Sequence, residues 1–177
     1  MFDLLKRLVC LGTLIALVGS VSCACARKPQ ELHFEVLDQG DGLCCGWSPG
    51  EEPALLVIAS REEVDAPAFS LQFQPSLADE LRALGYDRNF VVVVFRGGQS
   101  VSAPELIPET REVVRDGNEV KLKTHFGQVN SAKGVRPAGS SPYQVLAVFK
   151  EGRWGRRIRF ILELDGKEVV ERERFIP

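Results

Sequence analysis

The sequence predicts a mainly β fold, either an antiparallel sheet sandwich or a partly open barrel, with one or two short helices. Three observations carry this. Apolar and polar residues alternate with period two in runs such as "LHFEVL" and "EVKLKTHF", the pattern of half-buried strands. Asp116-Gly117 and Asp165-Gly166 join neighbouring runs by tight turns, which favours antiparallel pairing over crossover units. Helical signals are few, so an α+β arrangement is the alternative rather than the first reading.

The chain has 177 residues, of which 45% are hydrophobic, enough for one ordinary globular domain. Residues 1–26 read as an export signal. Lys6 and Arg7 form a short positive region, Leu8 to Val18 is an apolar run too short to span a bilayer comfortably, and small residues follow to Ala26. Cleavage after the small residues and lipidation at Cys23 are both open readings, and either places the mature protein outside the cytoplasm. Residues 27–177 then form a single β-rich domain.

Within that domain Leu32, Phe34 and Val36 alternate with His33 and Glu35 in a strand over Leu32 to Leu37, followed by a loop to Pro53. That loop holds Cys44 and Cys45. Export to an oxidising compartment makes a disulfide between them conceivable, although adjacent cysteines close a strained ring. A thiol-active or metal-capturing role stands beside a merely packed loop, but no His or second Cys pair completes a zinc site.

Ala54 to Ile58 is a short strand. Ser60 with Glu63 has the spacing of a capping box, and Pro67 limits the helix there to about a turn. A longer helix opens at Pro75 and Ser76, places Asp79 at its third position, lines one face with Leu77, Leu81 and Leu84, and closes at Gly85. Phe90 to Phe95 is apolar on both faces, which predicts a central strand covered on both sides. Gly97 and Gly98 follow it. Glycines after a strand can cradle phosphate only where a helix starts at once, and Pro104 and Pro108 forbid one, so these glycines read as a turn.

Glu112 to Val114 and Glu119 to Phe126 form a hairpin, with Val120, Leu122, Thr124 and Phe126 on one face and Lys121, Lys123 and His125 on the other. A Gly-, Ser- and Pro-rich loop runs from Gln128 to Ser141. Tyr143 to Lys150, Arg157 to Leu164 and Lys167 to Phe175 then read as strands joined in two successive hairpins. Arg153, Arg156, Arg157 and Arg159 around Trp154 read as a solvated hairpin tip with every second arginine pointing outward, in preference to a phosphate-binding patch.

Lys and Arg total 22 against 24 Asp and Glu, so no global basic field gathers nucleic acid. The sequence offers no catalytic residues, no metal ligands and no cofactor motif. His33 and His125 fall at polar positions of strands, where a solvated or cross-strand role is the default, and the carboxylates of Glu168, Glu171 and Glu173 read as a solvated strand face.

The second half of the chain resembles a known family. "YDRNFVVVVFRGGQSVSAPELIPETREVVRDGNEVKLKTHFG", then "SSPYQVLAVFKEG" and "IRFILELDGKEV" are similar to the C-terminal domain of the PrcB family, accessory subunits of secreted protease complexes. The likeness covers roughly Val57 to Pro177, with matching positions at Asp87, Gly97, Ser141, Pro142, Tyr143 and Asp165 with Gly166. The chain departs from the pattern after the strand glycines, where Ser100, Val101 and Ser102 run into Pro104. The resemblance implies a non-enzymatic, exported binding subunit whose partner is a protein such as an exported protease, with contact with the membrane only through an N-terminal lipid anchor. An exported β domain that acts by contact does so through a sheet edge, a loop or an exposed aromatic; a small-ligand-binding protein that uses the interior of a β barrel is an alternative, as is the thiol- or metal-active one using Cys44 and Cys45. The binding candidates are Gly97 and Gly98, Ser141, Pro142 and Tyr143, and Trp154.

Overall fold

The computed structural model describes residues 28–41, 50, 52–66, 74–98, 106–128 and 141–177. The strands are β1 (Gln30–Glu31), β2 (Phe34–Asp41), β3 (Ala54–Ile58), β4 (Asn89–Phe95), β5 (Leu106–Asp116), β6 (Glu119–Gln128), β7 (Pro142–Phe149), β8 (Arg156–Leu164) and β9 (Lys167–Ile176), with helices α1 (Arg61–Val64) and α2 (Pro75–Ala83) between β3 and β4. They form two sheets, one ordered β1-β5-β6-β8-β9 and the other β2-β7-β4-β3. The fold is therefore mainly β, a sandwich with two short helices, and the sheets do not close into a barrel.

Residues from both sheets fill the space between them: Val92, Val94, Leu146 and Val148 from one, Val120, Leu122, Phe160 and Leu162 from the other, all fully buried. Burying a side chain of this size stabilises the fold by about 1.5–3 kcal/mol relative to exposure. The opposite face of the four-stranded sheet carries a second apolar layer, in which Val91, Val93, Phe95 and Val145 meet Val64 of α1 and Leu77, Ala78 and Leu81 of α2. All residues of β4 are buried in consequence, as its apolar run predicts.

Several boundaries differ from the sequence reading, each for a local reason. β2 continues to Asp41, through residues that read as loop, because a register shift between Val36 and Asp38 lets "DQGD" go on pairing with β7. β5 begins at Leu106 rather than near Glu112. Pro108 is tolerated there because β1 covers β5 only at Val114 and Arg115, leaving the rest of that edge unpaired with any described strand, where no amide is needed. α2 starts at Pro75 in the first helical position, so Asp79 sits two residues deeper than predicted and pairs with Arg82 at 2.8 Å. It stops where Leu84 turns extended (ψ 136°), before Gly85 is reached.

The capping box forms only in part. Ser60 is the N-cap residue without a side-chain bond to the helix amides, and Glu63 Oε2 accepts from the Ala59 amide at 3.0 Å, one residue too early.

One topological expectation is corrected. β7 and β8 are not a hairpin, since they lie in different sheets. The chain crosses between them at Glu151 to Gly155, using left-handed glycines at Gly152 (φ 78°) and Gly155 (φ 80°), and returns beside β6 in parallel register, Val120 opposite Phe160. A parallel pair needs a long crossover, and the passage through β7 supplies it. Only β8 and β9 make the predicted hairpin, with Asp165 (φ 49°) and Gly166 (φ 81°) as a turn whose two central residues are both left-handed.

Candidate functional site

The antiparallel pairing of β4 with β7 gathers most of the predicted contact residues at one end of the four-stranded sheet. Phe95 lies opposite Tyr143, and the Arg96 amide donates to the Pro142 carbonyl at 2.9 Å. Gly97 then turns with φ 93°, and the Gly98 amide donates to the Gly50 carbonyl at 2.7 Å. Ser141, Pro142 and Tyr143 are buried, and the Ser141 hydroxyl has no partner among the described residues. Gly97 adopts the left-handed conformation that glycine favours; the chain beyond Gly98 lies outside the described residues.

Tyr143 links this cluster to the edge strand β2. The register shift at Leu37 turns Asp38 to the helix-bearing face, opposite Val145, and the Tyr143 hydroxyl donates to Asp38 Oδ2 at 2.7 Å. Gly40 lies opposite Tyr143, and a Cβ there would stand 3.5 Å from the phenol oxygen, so the ring packs closely over the bare backbone. Burial, reinforced by the Asp38 carboxylate, raises the Tyr143 pKa well above the ordinary value. The phenol stays protonated and acts as a donor.

Beside this pair a cleft of about 410 Å³ opens between the β2 edge and the start of α2, lined by Leu37, Asp38, Gly40, Gln74, Glu80 and Tyr143 among others. Two carboxylates face it, from Asp38 and Glu80, and its described lining contains no cationic side chain. Val36, just before the register shift, leaves 43% of its surface exposed. β2 is the terminal strand of its sheet, so one of its edges is unpaired with any described strand.

Trp154 is not part of this cluster. It packs on Phe90 (ring centroids 5.2 Å apart) at the far end of β4, about 17 Å from Phe95 at 3.3–3.4 Å per residue. The Arg115 guanidinium stacks over its ring at 3.9 Å and donates to the carbonyls of Gly117, Glu151 and Arg153. Trp154 Nε1 also donates to the Glu151 carbonyl, at 3.1 Å. Arg115 and Trp154 thereby fix the crossing between the sheets, a role the strand pattern hints at, since Arg115 shares the core-facing register of Val113.

His125 holds a cross-strand place on β6, as predicted, whereas His33 lies in the connection between β1 and β2 rather than within the predicted strand, since β2 begins at Phe34. His33 stacks on Phe149 with centroids 4.9 Å apart, and His125 Nε2 meets Glu109 at 2.7 Å and Arg111 at 2.9 Å. Lys121, Lys123 and His125 share the outer face of the five-stranded sheet, where Lys121 pairs with Glu168 and Lys123 with Glu112. Among the described residues no group of three or more His, Cys, Asp or Glu side chains is placed to hold a metal ion. No described helix is long and apolar enough to cross a membrane.

Cys23, Cys44 and Cys45, together with most of the two candidate contact loops, lie outside the described residues. Sequence reasoning missed Asp38 and Gln144. Gln144 is buried within an apolar strand, and its Oε1 accepts from the Thr110 amide at 2.8 Å, tying the two sheets together. No protein-family model matches the chain, and neither does any curated protein or solved structure.

Proposed function

We propose that the protein is an exported, non-enzymatic binding subunit that holds and stabilises a cell-envelope partner such as a secreted protease, docking it along the β2 edge. The observation that carries this reading is the cleft of about 410 Å³ running beside an edge strand. An extended segment of a partner can add to such an edge through main-chain hydrogen bonds, while the adjoining cleft receives one of its side chains. Asp38 and Glu80 in the cleft favour a Lys or Arg there. The resemblance of residues 57–177 to accessory subunits of protease complexes points the same way, and the export signal read in residues 1–26 supplies the compartment.

Affinity capture from gently solubilised envelopes of the producing cell, with mass spectrometry of the bound proteins, tests the reading. The tagged wild-type chain should retain an envelope protein at near-equal amount, and a Val36→Lys variant, whose charge blunts the edge, should lose it while still folding. A partner held equally by both chains, or no partner at all, would overturn the assignment. The thiol reading of Cys44 and Cys45 predicts reactive thiols in the same purified material.

A further inference from the structure

At the Trp154 end the chain builds a cationic cavity that the peptide-docking reading does not use. Lys28, Arg115, Arg153 and Arg156 line a cavity of about 140 Å³ with Gln30, Gly117, Glu151 and Gly152. The one carboxylate in that described lining is Glu151, and its Oε2 accepts from Gln30 Nε2 at 2.7 Å. The cavity is close in size to an engineered one of about 150 Å³ that accommodates benzene, so it has room for a small polyatomic group.

Its walls are held in place from behind. Arg115 donates to the carbonyls of Glu151 and Arg153 and stacks on Trp154, which fixes the crossing segment that carries Arg153 and Arg156. Arg156 donates through one terminal nitrogen to the Arg153 carbonyl at 3.3 Å, while its Nε is buried and has no partner among the described residues. Arg153, Arg157 and Arg159 are exposed, as the solvated reading expects, and Arg156 is half-buried; the segment is a crossing between sheets rather than a hairpin tip, and Arg153 and Arg156 line one cavity there.

We propose that this cavity binds a phosphate group. A small cavity lined by one lysine and three arginines matches a doubly charged oxyanion, and guanidinium forks suit phosphate oxygens. Two sources share that chemistry, free phosphate and a phospholipid headgroup. Lys28 follows Cys23 by five residues, a reach of at most about 17 Å, so a lipid on Cys23 would hold the cavity near headgroup level. The inference is independent of the docking at β2.

Isothermal titration of the full-length, host-processed protein in detergent tests it, using inorganic phosphate in one arm and glycerophosphoglycerol, a soluble headgroup, in the other. Saturable binding in either arm, weakened at least tenfold by Lys28→Ala and by Arg156→Ala and unchanged by Arg157→Ala with Arg159→Ala, is the expected result. Tighter binding of phosphate identifies the free ion, and tighter binding of glycerophosphoglycerol identifies the headgroup. Lys28 lies outside every strand, so its variant reads binding even where an arginine variant is unstable. Absence of saturable binding in both arms, or equal loss in the Arg157 and Arg159 double variant, would overturn the assignment.

Discussion

Tyr143 and Arg115 show how single side chains set the two ends of this domain. The Tyr143 hydroxyl is the donor that holds Asp38 on the helix side of the β2 edge, so Tyr143→Phe should cost about 1 kcal/mol in denaturant unfolding. Its pKa is raised in the folded state by burial first and by Asp38 second. The neutral phenol is the favoured folded form, so its contribution is intact below the ordinary tyrosine value of 10.0 and is lost as pH rises beyond it. The alkaline decline in stability should therefore be shallower in Tyr143→Phe than in the wild type, as a pH series of unfolding midpoints would show. At the other end, Arg115→Met removes charged donors from three carbonyls and should cost about 2–3 kcal/mol. Tyr143 stands out in the sequence as an aromatic at a strand start, but its partner does not, because the register shift at Leu37 reverses the face on which Asp38 would otherwise fall. Arg115 reads as part of a turn, although its alternation with Val113 places it toward the core.

Strands with strong alternation or uniform apolarity were legible almost to the residue. Ala54–Ile58, Phe90–Phe95, the two faces of β6 and the Asp165-Gly166 turn all have local causes that the sequence carries directly. The ends of β2 and β5 were not, because pairing with a neighbour extends them through Gly, Asp and Pro, residues that signal loops when no partner is known. The crossing at Glu151 to Gly155 has the same glycine-rich signature as a hairpin, and only the choice of sheet distinguishes them. Gly166→Ala should destabilise the β8–β9 hairpin by about 1 kcal/mol, since a Cβ is strained at φ 81°, measurable as a shift in chemical denaturation.

The outer face of the five-stranded sheet behaves differently, since its ion pairs are solvent-exposed. Lys121→Met should leave the unfolding midpoint unchanged within error despite the Lys121–Glu168 contact of 2.7 Å. The Glu119 carboxyl is held below its usual value chiefly by its hydrogen bond to Arg159. Its small contribution is present above the ordinary glutamate value and fades as pH falls through the lowered one.

The described residues form three layers: a five-stranded sheet with a charged outer face, a four-stranded sheet whose central strands β4 and β7 are almost wholly buried, and helices covering one part of that sheet's far face. α1 and α2 pack over β3, β4 and the start of β7, and beyond the start of α2 the β2 edge borders a cleft that no described element covers. This asymmetry is the reason the proposed docking is placed at β2 rather than at the exposed Phe175 on β9, where the edge strand carries Glu171, Glu173 and Arg174, charges that discourage strand addition. The domain should unfold in one cooperative transition, because both sheets share a single core. Hydrogen exchange of the domain with and without its captured envelope partner tests the docking most directly. Amides of Phe34–Asp41 should become protected in the complex while those of Lys167–Ile176 keep their free-state rates. Unchanged exchange across β2, with protection elsewhere on the surface, would contradict the account.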